Sequence, residues 1–231
     1  MSNPADALDL YAKVEDMLGV YEAAPKLYAH YLLALREIDF DTLLDVGCGS
    51  GDFLLQMQGA FPGAYFEGID LSPEMVRRAR ARGAQAECID LCELGGSFDV
   101  ITCVFDMLNY LSSEELPAFL SCLTKRLNPG GYLLFDLNTR YGFKEVAVGA
   151  FIAEDEDRFL TIDSAFDAEV YTADFTLFER RESCWHKSYA HIRQYEHDAD
   201  GIAEMTRMQI VAASPVYLYG EEADKGFFVL R

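Results

Sequence analysis

Positive charge is scarce in this sequence. Lysine and arginine number 19 against 39 aspartates and glutamates, a formal net charge of −20 over 231 residues. A surface so acidic argues against broad contact with a phosphate backbone, which takes its affinity from lysine and arginine. The densest basic run, Arg77-Arg78-Ala79-Arg80-Ala81-Arg82, reads as the solvated face of a helix rather than a nucleic-acid groove. Long apolar runs are missing too. None reaches the roughly 18 residues of a membrane span, and the acidic, polar N-terminus has no signal-peptide pattern. A soluble, cytoplasmic protein without membrane contact is the expectation. The cysteines Cys48, Cys88, Cys92, Cys103, Cys122 and Cys184 form no Cys-x-x-Cys pair. Most stand in apolar strand or helix contexts, so reduced, buried thiols are expected. Cys184 and His186 flank Trp185 without a second ligand pair, so no metal site is expected.

What stands out is one stretch. The apolar run Leu43-Leu44-Asp45-Val46 meets glycines at alternate positions, Gly47, Gly49 and Gly51, and then the amphipathic Phe53-Leu54-Leu55. That order reads as strand, glycine-rich turn, helix, the opening of a nucleotide-binding fold. The spacing is Gly-x-Gly-x-Gly, not the Gly-x-Gly-x-x-Gly of a dinucleotide site. A pyrophosphate here would also meet the carboxylates of Asp45 and Asp52, which argues against an NAD-dependent oxidoreductase. A ligand carrying an amine and a sulfonium suits these acids better. Asp70 ends the next apolar run, about 20 residues on, where an acid accepts hydrogen bonds from ribose hydroxyls.

These residues resemble the class I S-adenosylmethionine-dependent methyltransferases. The first motif is Leu43 to Phe53, the second Glu67 to Val76. Glu87 to Leu94 holds the acid after the third strand, and Phe98 to Leu111 and Leu127 to Leu137 match the fourth and fifth strand regions. The resemblance is strong over residues 40–140 and weak in the flanks. It implies a Rossmann-like, doubly wound seven-stranded α/β sheet with an antiparallel last strand. Residues 1–40 would form a helical cap, 41–139 the cofactor-binding core, 140–198 a small antiparallel β insertion, and 199–231 a helix and hairpin completing the core.

The cofactor implied is S-adenosylmethionine, leaving as S-adenosylhomocysteine. Asp45, with the backbone of Gly47, Cys48, Gly49 and Gly51, would hold the methionine portion. Asp70 would hold the ribose, Leu71 and Met75 would pack near adenine, and Asp90 would accept from its amino group beside Leu91. Phe105 and Asp106 would lie near the methionyl end, with Asn109 and Tyr110 following on the same turn. In-line methyl transfer needs alignment and exclusion of water more than a covalent nucleophile, so no catalytic residue is required by the pattern. A hydroxyl acceptor would need a general base. His191 is a weak candidate, ahead of His30, His186 and His197, and Tyr141 is a weak candidate for substrate contact. The expected activity is methylation of nitrogen or oxygen on a small molecule. A non-catalytic adenosyl-ligand binding protein, or an RNA or protein methyltransferase, is the alternative. The insertion is expected to cover the substrate or to form a homodimer.

Local signals fill in the elements. Leu8, Tyr11, Val14 and Leu18 share a helical face, and Pro25 marks the opening of a second helix, Lys26–Glu37. Tyr11, Tyr21, Tyr28 and Tyr31 on this region are possible pocket residues. Ser72-Pro73 opens a helix that Gly83 ends, Ala84 to Ile89 gives the third strand, and Ser112-x-x-Glu115 is a capping box. Arg158–Ile162, Val170–Arg180 and Tyr189–Tyr195 read as the insertion's strands, with Tyr171, Ala173, Phe175 and Leu177 on one face. A helix, Ile202 to Met208, precedes two strands, Val216–Tyr219 and Gly226–Leu230.

Overall fold

The apolar run before the glycines becomes the central strand β1 (Thr42–Val46), buried on both faces as a parallel strand between two layers must be. It pairs in parallel with β2 (Tyr65–Asp70) and β4 (Phe98–Cys103). The full sheet adds β3 (Ala86–Cys88), β5 (Leu127–Asn138), β10 (Ile210–Val216) and β11 (Lys225–Leu230), in the order β10-β11-β5-β4-β1-β2-β3. β11 runs antiparallel to both its neighbours. The structure is a computed structural model that describes residues 4–231, with side chains from Asp9 onward; Leu8 of the expected apolar helix face lies outside the described side chains.

Helices cover both faces. The core on one side joins Leu27 and Tyr31 of α2 (Val20–Arg36), Phe53, Leu54 and Met57 of α3 (Asp52–Ala60) and Val76 of α4 (Pro73–Ala81). The core on the other joins Leu120 and Leu123 of α5 (Leu116–Arg126) with Ile202 of α6 (Ala199–Thr206). The helix starts follow their capping chemistry. Ser72 Oγ accepts from Met75 N at 3.2 Å, and Ser112 and Glu115 satisfy each other's amides. Among the described residues no helix is long and apolar enough to cross a membrane.

Residues 149–195 form a separate four-stranded antiparallel sheet, β6 (Gly149–Glu154), β7 (Arg158–Asp167), β8 (Val170–Arg181) and β9 (Cys184–Tyr195). Its inner face, with Leu160, Ala173, Phe175, Leu177, Ala190 and Ile192, packs on Leu10 and Val14 of α1 (Pro4–Val14). The first helix therefore seals the insertion and is not simply a lid on the large sheet.

Four expectations need correction. α2 begins at Val20 behind a left-handed Gly19 (φ 70°), and Pro25 sits inside it, where it leaves one helical carbonyl without its amide partner. The insertion has four strands, not three; β6 is almost wholly exposed, so no apolar alternation betrays it. The strand read at Val216–Tyr219 is β10 at Ile210–Val216. It stops there because the Asp224 carboxylate accepts the amides of Leu218 and Tyr219, at 3.0 and 2.7 Å, and turns the chain. The cysteines are not all reduced and buried. The turn after β3 folds back on α5 and brings Cys92 and Cys122 to a Cα separation of 5.1 Å, where they form a disulfide. Cys48 and Cys103 are buried thiols, and Cys88 and Cys184 are exposed.

Candidate functional site

The carboxyl ends of the parallel strands gather the acids that the sequence singles out. Asp45, next to last in β1, is fully buried, and Thr102 Oγ1 donates to it at 2.6 Å. Burial pushes its carboxyl up to about 7, against the pull of Thr102, and the Asp70 charge adds to the rise. Asp70 ends β2. It accepts from Gly49 N at 2.9 Å and Ser72 N at 2.8 Å, and burial outweighs both bonds to raise it. The glycine turn is tied to β2 as well, because Gly47 N and Cys48 N both donate to Ile69 O. Gly47, Gly49 and Gly51 all have left-handed φ, 77°, 52° and 81°. A Cβ on Gly47 would strike Met107 and one on Gly51 would press on Ala84 and Ala79, while one on Gly49 would meet nothing within 4 Å. Gly49 is thus the open point of the turn, where a ligand can lie on bare backbone. Cys48 gives the turn only its backbone; its side chain is buried against Gly68.

Beyond β2, Leu71 is 54% exposed and Met75 is buried. After β3, Asp90 is exposed, and its carboxylate accepts Cys92 N at 2.7 Å. Leu91 is turned away from it into the core beneath the sheet.

After β4 the chain takes two left-handed non-glycine residues in succession, Phe105 (φ 56°) and Asp106 (φ 52°). Asp136 of β5 holds them there. Its oxygens accept Phe105 N and Asp106 N, each at 2.8 Å, and the Tyr31 hydroxyl at 2.7 Å. Lys225, the first residue of β11, closes the cluster. Its ammonium is ion-paired with Asp106, donates to Asn138 Oδ1 at 2.7 Å and lies 3.4 Å from Asp136 Oδ2. Gln194 of β9 donates to the other Asp106 oxygen. Asp136 is wholly buried, and burial raises it while Lys225 pulls it down. Burial favours a neutral Lys225 amine, but Asp106 and Asp136 outweigh it and the ammonium is held above its ordinary value. Two carboxylates around one ammonium leave the cluster one negative charge in excess when both are ionised. Around Asp106 stand Tyr11, Tyr110 and Tyr171, whose phenols are pushed up by burial foremost and by the Asp106 charge behind it. Tyr11 and Tyr171 come from α1 and β8, so the insertion and its helix reach this end of the sheet.

Other residues are not brought here. His191 Nδ1 lies 2.7 Å from Asp174 Oδ1, and its Nε2 accepts from Arg193 Nε at 3.1 Å; Ala190 and Ile192 point inward, so His191 is on the opposite face of the insertion. His30 is bonded to Ser214 Oγ and His197 to Leu111 O, and His186 is exposed. Tyr141 follows β5 on the same edge as the site, and its hydroxyl approaches Gly220. Tyr28 packs edge-on to Phe53 and Phe105, Tyr31 is the Asp136 partner, and Tyr21 is 54% exposed. Sequence reasoning missed Asp136, Lys225 and Gln194. A signal existed: Leu133 to Leu137 and Lys225 to Leu230 are apolar strands with a single charge each, of opposite sign, and buried charges come in pairs.

Comparison with known proteins agrees with this fold. The Methyltransferase domain family matches residues 43–131. A putative methyltransferase of Geobacillus sp. strain WCH70 is 28% identical, over 82% of this chain and 83% of its own; further curated relatives match over about half their length. The fold is similar to that of an S-adenosylmethionine-dependent methyltransferase from Clostridium acetobutylicum, with TM-score 0.77 and 20% identity over 96% of this chain and 98% of the other. It is also similar to an S-adenosylmethionine-bound amino pentose methyltransferase from Micromonospora echinaspora, with TM-score 0.66 and 24% identity over 91% and 95% of the two chains.

Two outcomes follow from the buried charges. Lys225→Met leaves two carboxylates facing each other without a cation, and urea titration will show a loss of about 3–5 kcal/mol. For Asp45 the folded carboxyl lies above its unfolded value, so between pH ~4 and 7 the unfolded chain is ionised there and the folded one is not. Wild-type stability therefore falls across that window relative to Asp45→Asn, by at most ~4 kcal/mol, and the difference levels off above pH 7. A difference curve that is flat from pH 4 to 7 contradicts this.

Proposed function

We propose that this chain is a class I S-adenosylmethionine-dependent methyltransferase, a reading supported by its match to the Methyltransferase domain family over residues 43–131 and by its fold, and that it moves the cofactor's methyl group onto the nitrogen of a small amine-bearing molecule. Transfer to oxygen of a small molecule is the second reading. The bound cofactor supplies an electrophilic methyl on a sulfonium, and the rest is alignment by the protein. In this proposal Asp70 keeps lone pairs for the ribose hydroxyls, Leu71 and Met75 flank the adenine, and Asp90 accepts from its amino group. Leu91 steadies that turn from below. Asp45 and the backbone from Gly47 to Gly51 face the methionine portion with Phe105. Residues 41–139 serve as the cofactor core and 199–231 complete its sheet, while 1–40 and 140–198 close over the acceptor.

The observation that carries the nitrogen reading is Asp106. Both its oxygens are already engaged, by Lys225 and Gln194, yet each carboxylate oxygen takes two donors, so room remains for an acceptor's N–H. Tyrosine rings and a net negative charge suit an ammonium arriving from water. A hydroxyl acceptor would need a base, and none of the four histidines hydrogen-bonds into this cluster.

The test is a mass-spectrometric screen for addition of one methyl group, with S-adenosylmethionine and matched panels of small primary amines and alcohols. Amines gain the methyl and alcohols do not. Asp106→Asn lowers that turnover about a hundredfold while S-adenosylhomocysteine still binds. Asp70→Ala weakens S-adenosylhomocysteine at least about tenfold by calorimetry. Methylated alcohols without methylated amines, or a fully active Asp106→Asn, would overturn the nitrogen reading.

A further inference from the structure

We infer that Cys92 and Cys122 form a reversible dithiol site through which small-molecule thiols and disulfides set the affinity for the adenosyl cofactor. The inference rests on the proposed contact between Asp90 and adenine. The disulfide joins the turn after β3 to α5. Cys92 is exposed and Cys122 half-buried, so a small thiol reaches the bond. The turn is tight: Glu93 N and Leu94 N donate to Asp90 O at 3.0 and 3.2 Å. The amide that fixes the Asp90 carboxylate, at 2.7 Å, belongs to Cys92 itself. The residue that carries the sulfur also orients the carboxylate.

Without the covalent tie the turn is held loosely. β3 is a three-residue edge strand, with three register pairs to β2. Leu91 and Leu94 anchor the turn among the α5 leucines. Arg126 of α5 adds long contacts, to Cys92 O at 3.4 Å and Gly96 O at 3.5 Å, and its Nε is buried without a partner among the described residues. Breaking the disulfide frees the backbone between these anchors. The cofactor must then order Asp90 on binding, where the oxidised protein presents it ready-made.

The exchange is balanced. Oxidation takes two electrons and two protons from the two thiols as their S–S bond forms; a small-molecule disulfide such as oxidised glutathione is cleaved and leaves as two thiols, through a mixed disulfide. Dithiothreitol reverses it and is itself oxidised to its cyclic disulfide.

The experiment titrates S-adenosylhomocysteine calorimetrically into full-length protein, oxidised with oxidised glutathione or reduced with dithiothreitol. Iodoacetamide mass shifts count the free thiols in each state. On reduction Cys92 and Cys122 become alkylated and the Kd rises about three- to tenfold, with the far-ultraviolet circular dichroism unchanged. Cys92→Ser and Cys122→Ser each show the reduced affinity and ignore dithiothreitol. Equal affinity in the two states, within twofold, overturns the inference and leaves the cofactor site standing. So does a response to dithiothreitol that persists in both serine variants, which would point to Cys88 or Cys184. No binding in either state removes the cofactor site and the inference with it.

Discussion

An ammonium with three N–H donors stands where the side-chain oxygens of Asp106, Asn138 and Asp136 converge, and the upper edge of the molecule depends on that meeting. Lys225 lies at the carboxyl edge of the sheet because β11 alone among the strands beside β5 runs backwards, so its first residue is level with the last of β5. Taking the charge out of water is costly, and the pairing repays that cost only if each donor and acceptor is satisfied. Here they are, with one consequence beyond stability. Asp136 spends its oxygens on the amides of Phe105 and Asp106, two residues in a backbone region that non-glycine residues enter at a cost of order 1–3 kcal/mol each. The turn after β4 is therefore aimed by a carboxylate in the next strand, and the ammonium of a lysine in the last strand partly offsets the burial of that carboxylate.

The insertion is bound into the same cluster. Gln194 reaches Asp106, Asn109 donates to Tyr195 O at 2.7 Å, and Asn138 N donates to Asn109 Oδ1 at 3.0 Å. A sheet that contributes nothing to the large one is thus fastened at the carboxyl end of the parallel strands, and α1 closes its inner face. The residues proposed for the cofactor sit on short turns between rigid parallel strands, and those proposed for the acceptor come from α1, β8, β9 and the turn after β4. The two sets meet at Asp106.

What the sequence made legible was local. Glycines at alternate positions after an apolar run announce a left-handed turn, acids at strand ends announce the ligand edge, and Ser72-Pro73 and Ser112-x-x-Glu115 announce helix starts; each signal spans a few residues. The Lys225–Asp106 pair is 119 residues apart in the chain and depends on the β5–β11 register, which local patterning does not reveal. β6 escaped because an exposed strand carries no alternation to read. His191 is a different case. The alternation of Ala190 and Ile192 already sets it on the outward face, so residue type outweighed a periodicity that was there to be used.

The cysteines show how burial and composition part company. Reduced, hidden thiols suit Cys48 and Cys103, whose strand and turn settings are apolar, and burial pushes both thiols up and leaves them inert. Cys92 and Cys122 stand in equally unremarkable sequence, 30 residues apart. Their pairing follows from the crossover that brings α5 beneath the β3 turn, where Leu91 and Leu94 need an apolar floor. Those leucines pack among the α5 leucines, and the neighbouring Cys92 is thereby brought up to Cys122 on α5. A hydrophobic requirement on one side of the turn thereby fixes a thiol chemistry on the other, within two residues of the acid at the adenine end of the proposed cofactor site.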